Sequence, residues 1–365
     1  MLSYNMWSAL RGKYWYEDVA WSMKHHHMAR IGVILILAAI AVGTAECAEL
    51  PSKDLEIRDW YDLDAVRENL TGNHRLMNDL DAATAGYDEL ASPAANGGKG
   101  WQPIGTCEGG GFYVFEGTFD GQGYEIRDLF INRPDESCVG IFGTLGNLSG
   151  SGKGIIENVV VANASVTSAS FVGALVGHSG GGTFSTVSNC YATGSVAGNS
   201  SVGGLVGANV GIVRGCYYVG NVTGITRVGG LVGLNGGTVT NSHSGGSVIG
   251  NSDVGGLLGY NHYGTVSNSY SAGSVSGDDD VGGLVGLNED STVSGSFWDT
   301  ETSGQPISDG GTGRNTTQMR DIMTFSGAGW NMTAVAPNET NPACIWNIVN
   351  GQSYPFLSWQ QQPPA

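Results

Sequence analysis

Few residues of this 365-residue chain are of types and spacings that could do chemistry. Asp278-Asp279-Asp280 is its one dense acidic run. Three carboxylates on a turn could gather oxygens around Ca²⁺, or supply half of the carboxylate pair that glycoside hydrolysis needs. Tyr191, Tyr217, His243, Tyr270 and Phe297 recur at nearly equal spacing. Exposed, they would make an aromatic strip for sugar rings; buried, they would be a stacking ladder, and the ladder is the better fit. Cys190 and Cys216 share the same interval, with Cys107 and Cys138 as a second pair and Cys47 and Cys344 without obvious partners.

What must position these residues is a repeat. Segments 187–212, 213–238, 239–265 and 266–292 align almost without gaps, with a period of 26 to 27 residues. Degenerate copies start at Ile156 and near Ile126, and a truncated one at Val293. Each repeat holds three short Val-rich runs broken by Gly, Asn or Ser, with no helical apolar period. Three strands and their turns fit one coil of a right-handed parallel β-helix, an all-β solenoid of about six to seven coils with capping segments at both ends. Stacked at ~4.8 Å, each strand pairs with its copies above and below. Leucine-rich repeats need a Leu-x-x-Leu-x-Leu run that is missing, and propeller blades are longer.

Stacking turns sequence columns into structural ones. Leu205, Leu231, Leu257 and Leu284 form a core column, beside Val206, Val232, Leu258 and Val285. The Gly pairs before them, such as Gly203-Gly204 and Gly229-Gly230, mark places where a Cβ would clash or φ must be positive. Asn209, Asn235, Asn261 and Asn288 can bond along a ladder and suit left-handed turns. Cys190 and Cys216 occupy the fourth position of successive copies, where later copies carry Ser242, Ser269 and Ser296, so a disulfide between adjacent coils is expected.

The same alignment weakens the catalytic options. The counterparts of Asp278–Asp280 are Asn199-Ser200-Ser201, Ile225-Thr226-Arg227 and Asn251-Ser252-Asp253, a variable turn better read as a solvated acidic surface. The repeats carry only Arg214 and Arg227 as bases for lyase chemistry. The Asn-Thr-Asp, Gly-His-Gly and Arg-Ile-Lys motifs of polygalacturonase-like enzymes are absent. No Cys/His spacing suggests zinc, and the Gly pattern follows the structural period rather than a phosphate loop. The expectation is no catalytic residue, no metal and no cofactor.

Composition and ends give an address. Sixty Gly and only 13% charged residues beside 41% hydrophobic ones suit a turn-rich β-fold rather than disorder. Met28 to Ala45 reads as a secretory signal peptide: Arg30, an apolar stretch from Ile31 to Gly43, then Gly43-Thr44-Ala45. Residues 1–27, with His25-His26-His27, read as an upstream extension; Glu46 before Cys47 argues against a lipoprotein signal. The net charge of −17 disfavours nucleic acid and anionic lipid, and no stable membrane insertion is expected once the signal is cleaved. Asn69, Asn147, Asn163, Asn199, Asn221, Asn315, Asn331 and Asn338 lie in glycosylation sequons. The expected organisation is a leading, capping region over 46–125, repeats over 126–292 and a C-terminal capping region over 293–365.

Gly204-Leu205-Val206-Gly207 and its three copies at Gly230, Gly256 and Gly283 resemble the GLUG motif of bacterial and archaeal surface proteins. Trp101-Gln102-Pro103-Ile104-Gly105 with Phe119-Asp120-Gly121, and Phe297-Trp298-Asp299 with Ile345-Trp346 and Tyr354-Pro355, resemble the flanks of those proteins. The resemblance implies a solenoid and a surface location, and it carries no catalytic residues. The expected function is an exported cell-surface or secreted repeat protein whose solenoid surface serves adhesion or binds cell-surface glycans or surface proteins, without catalysis. The alternative is a polysaccharide-active lyase or hydrolase.

Overall fold

The computed structural model describes residues 54–107, 113–146, 152–180 and 185–360. The expected signal peptide, the upstream His triplet and Cys47 lie outside the described residues. What is described is a parallel β-solenoid. In the coil that begins at Ile212 the chain makes Ile212–Arg214, Tyr217–Thr223, Thr226–Gly229 and Val232–Asn235. That is four strands rather than the expected three. The difference arises at the Gly pair, where the run Thr226–Asn235 folds sharply on itself. A Cβ on Gly229 would lie 2.0 Å from the Val232 carbonyl oxygen, so only Gly allows the corner. The close approach, not a positive φ, is what these paired glycines serve.

Register holds coil to coil. Tyr217 pairs with both Tyr191 and His243, and Val232 with both Val206 and Leu258, always in parallel. Three faces result: a nine-stranded sheet, a bent fourteen-stranded sheet and a six-stranded sheet. Five regular coils are complete, beginning at Ile155, Thr186, Ile212, Thr238 and Thr265. The copy near Ile126 makes an irregular coil before them. The copy at Val293 gives Thr292–Ser294 and Phe297–Asp299 but no strand on the third face, so the count falls short of six to seven.

The interior is a set of one-residue columns. Leu205, Leu231, Leu257 and Leu284 are fully buried, as are Val187, Val213, Val239 and Val266. Each such side chain removed from water contributes about 1.5–3 kcal/mol. The polar column is satisfied along its length. The Asn209 amide donates to Asn235 Oδ1 at 2.8 Å, Asn235 to Asn261 at 2.7 Å, and Asn261 to Asn288 at 2.7 Å. Left-handed backbone recurs in a different Asn column, at Asn158, Asn189, Asn241 and Asn268, with Gly215 and Gly295 taking the same place in the other coils.

Both ends cover the stack. Leu55–Ile57, Asn73–Leu76 and Thr118–Asp120 extend the nine-stranded sheet, while Trp60, Leu63, Trp101 and Phe115 close the core above them. At the other end, the amide of Gly283 donates to Ile307 O at 3.0 Å and that of Asp309 to Val285 O at 3.1 Å, which covers the edge around Gly283–Val285. Met332–Ala334, Trp346–Ile348 and Phe356–Leu357 then form a small separate sheet. Among the described residues no helix is long and apolar enough to cross a membrane.

Candidate functional site

The aromatic column is a ladder. Tyr191 and Tyr217 stack with ring centroids 4.4 Å apart, Tyr217 and His243 at 4.8 Å, and His243 and Tyr270 at 4.9 Å, all within 6° of parallel. The C-terminal sheet lies over it. Tyr270 donates its hydroxyl to Pro355 O at 2.6 Å, and His243 Nε2 meets Gln360 Oε1 at 3.2 Å. Trp346 packs against both His243 and Tyr270, and Phe325 and Trp330 cover Phe297. Tyr217, His243, Tyr270 and Phe297 are therefore buried, and only Tyr191 is partly open. No sugar can lie along this strip while the C-terminal sheet is in place.

That burial has a pH signature. Burial disfavours the imidazolium and lowers the His243 pKa to about 4, the Gln360 contact opposing it. A depressed folded-state value means the stability is present above the unfolded value near 6.5 and is lost as pH falls toward 4. The full loss is on the order of 3 kcal/mol. His243→Phe is thus expected to flatten the fall in thermal midpoint between pH 6.5 and pH 4 relative to wild type. Parallel pH profiles of the two proteins would show that the imidazole is not buried neutral.

The cysteines correct the expected bridge. Cys107 and Cys138 form the disulfide, with Cα atoms 6.0 Å apart. Cys190 and Cys216 remain thiols, buried on neighbouring coils. In-register parallel strands aim both side chains the same way, unsuited to the crossed geometry of an S–S bond. Each sulfur instead donates within its own coil, Cys190 to Ser188 O at 3.1 Å and Cys216 to Arg214 O at 3.3 Å. Burial, with the Cys216 sulfur alongside, pushes the Cys190 thiol up. Ser242, Ser269 and Ser296 in this column accept hydrogen bonds from the amides of Cys216, Ser242 and Ser269.

Asp278 and Asp279 are exposed on their turn, both amides donating to Asn251 O at 2.9 Å. Among the described residues no three His, Cys, Asp or Glu side chains group as metal ligands. Of the sequons, Asn163, Asn199, Asn221, Asn315, Asn331 and Asn338 are exposed, Asn69 is half-buried, and Asn147 lies outside the described residues.

A second, smaller buried cluster lies on the third face. There one column reads Thr144, His178, Ala208, Leu234, Tyr260 and Leu287. Tyr260 is 8% exposed, packed with Leu234 and Leu287, and the Arg227 guanidinium stands 5.4 Å over its ring. Its hydroxyl donates to Glu289 Oε2 at 2.6 Å and lies 3.0 Å from His262 Nδ1. The phenol has one proton to give. With Glu289 taking it, His262 must donate from Nδ1, so a neutral imidazole keeps its lone pair at Nε2. Burial and the Glu289 carboxylate push the Tyr260 hydroxyl well above the ordinary phenol range, so this group donates and is no base at neutral pH. Sequence reasoning missed these residues. The available signal was the step from a 26- to a 27-residue period, which enters at His262-Tyr263.

The GLUG motif model matches residues 168–197 and 250–276. The chain carries GLUG repeats. Its GLUG solenoid is 35% identical over 153 residues to Halomucin of Haloquadratum walsbyi, across 41% of this chain and 2% of that protein. It is 36% identical over 124 residues to a Gly-rich membrane protein of Evansella cellulosilytica, across 33% of this chain and 12% of that one. The chain thus spans a small part of the length of these relatives.

Proposed function

We propose that this GLUG solenoid is an exported surface protein that binds glycans or other surface molecules through its outward columns, without turnover. The observation that carries the reading is the contrast between inside and outside. The inner columns repeat Leu, Val and Asn from coil to coil, whereas the exposed turn column stacked beside them reads Asn199, Ile225, Asn251 and Asp278 in succession. A fixed interior with a changing exterior is how repeat proteins build binding surfaces. The likeness to a Gly-rich membrane protein and the expected signal segment at 28–45 support an extracytoplasmic place. A carboxylate-bound Tyr260 with a raised pKa supports binding over acid–base chemistry.

The test is incubation of the purified chain with neutral plant polysaccharides, pectin and alginate, reading both cosedimentation and new chain ends. Retention of the neutral polysaccharides, with no new chain ends on any of the substrates, is expected. Cleavage that Asp279→Asn or Tyr260→Phe abolishes would replace this reading with the lyase or hydrolase alternative.

A further inference from the structure

We propose that the lengthened turns of the last two complete coils form a binding site for a neutral sugar ring, with Tyr263 as the stacking platform and His262 and Glu289 as its polar contacts. This names a site and a ligand class within the binding function proposed above and rests on it.

The first support is where the repeat breaks. After the Asn ladder, two coils continue with two residues, Val210-Gly211 and Gly236-Gly237. The next two use three, His262-Tyr263-Gly264 and Glu289-Asp290-Ser291. The longer turns are built rather than loose. The amide of Tyr263 donates to Glu289 O at 3.2 Å, and that of Gly264 to Ser291 Oγ at 3.0 Å. Tyr263 and Asp290 follow the paired residues His262 and Glu289 on adjacent coils.

The second support is Tyr263 itself. Its φ is 58°, the left-handed region that a bulky aromatic rarely adopts, and its counterpart Asp290 has φ 50°; Phe171, at φ 54°, is another aromatic in that region, but it packs against the buried Ala208–Leu234–Tyr260 cluster. The Tyr263 side chain is 68% exposed, so core packing does not explain it. Strain retained without a packing return points to a functional role.

The third is the chemistry around the ring. The His262 imidazole lies 4.2 Å from the Tyr263 ring, tilted by 56°. The hydrogen-bond chain from His262 through Tyr260 to Glu289 fixes that imidazole and leaves Nε2 as an acceptor when neutral. A pyranose offers an apolar C–H face to an aromatic ring and hydroxyl donors at its rim, which such acceptors suit. Glu289 and the exposed Asp290 oppose acidic sugars. A quaternary ammonium wants several enclosing ring faces. Here the Tyr260 face already carries Arg227, so Tyr263 stands as a single open platform.

The experiment compares full-length wild type, Tyr263→Asn and Tyr263→Phe on an array of neutral, sialylated and sulfated oligosaccharides, with a trimethyl-lysine peptide alongside. Wild type is expected to retain neutral glycans, Tyr263→Phe to stay close to it, and Tyr263→Asn to lose about tenfold or more in affinity. The thermal midpoint of Tyr263→Asn should equal or exceed that of wild type, because Asn suits the backbone there. Neutral-glycan binding that Tyr263→Asn leaves unchanged would overturn this site while leaving the binding function. Preference for acidic glycans or for the peptide would overturn the ligand class. No glycan retained by wild type would overturn both the site and the glycan-binding reading.

Discussion

Leu231→Asp is expected to remove the cooperative thermal unfolding transition of the solenoid. Leu231 is fully buried between Leu205 and Leu257. Its backbone ties both neighbouring coils: its amide donates to Leu257 O at 2.9 Å and its carbonyl accepts from Leu205 and Val206 at 3.1 Å each. Truncating a core Leu alone costs about 2–5 kcal/mol. A carboxylate at that point adds a charge with no partner, for a total of at least about 5 kcal/mol, comparable to the whole stability of an ordinary domain. Because each coil is held by the coils beside it, the damage spreads along the stack. Ile225→Asp is the control, since Ile225 is 49% exposed on a turn. Circular dichroism melts of both should show one transition lost and one near wild type. A wild-type melt for Leu231→Asp would mean that the column is not buried.

Gly230→Ala is expected to destabilise by about 3 kcal/mol, large for a single methyl group. A Cβ on Gly230 would sit 2.1 Å from Gly256 O, and that oxygen is backbone in the next coil, so no side chain can swing away. Gly236→Ala tests the same chemistry where there is room, the nearest atom being His262 O at 3.5 Å. That change should be neutral or stabilising by up to about 1 kcal/mol through the unfolded chain. Denaturant midpoints of the two variants separate steric need from mere Gly abundance. Equal midpoints would contradict the tight packing of the Gly pairs.

The period, the core columns and the Asn ladder were legible because a stacked coil converts one-dimensional repetition directly into contact. Leu231 needs no more than its own copies to be placed. The corner at Gly229-Gly230 was harder, since a glycine pair within an apolar run reads equally as one strand or as two strands around a tight turn. The aromatic column was recognised as a ladder, but its cover could not be foreseen. Trp346, Pro355 and Gln360 lie far along the chain from His243 and Tyr270, in a segment with no repeat to align. Of the two cysteine pairs named from the sequence, the second, Cys107 and Cys138, is the one joined, for a related reason. Periodicity found Cys190 and Cys216 as neighbours, but side-chain direction decides bonding, and Cys107–Cys138 join in the irregular region where the period is weakest. Tyr260, His262, Tyr263 and Glu289 were hidden by the regularity that revealed the rest, because an alignment tuned to sameness passes over an inserted residue.

The aromatic ladder is buried beneath the C-terminal sheet, and the proposed binding site is at the lengthened turns. Hydroxyl-radical footprinting of the native chain, read tyrosine by tyrosine by mass spectrometry, tests this most directly because it reports exposure alone. The account predicts rapid labelling of Tyr263, with Tyr217 and Tyr270 protected until the protein is denatured. Native labelling of Tyr217 and Tyr270 at the rate of Tyr263 would contradict it, and would return the aromatic column to the surface as the binding strip.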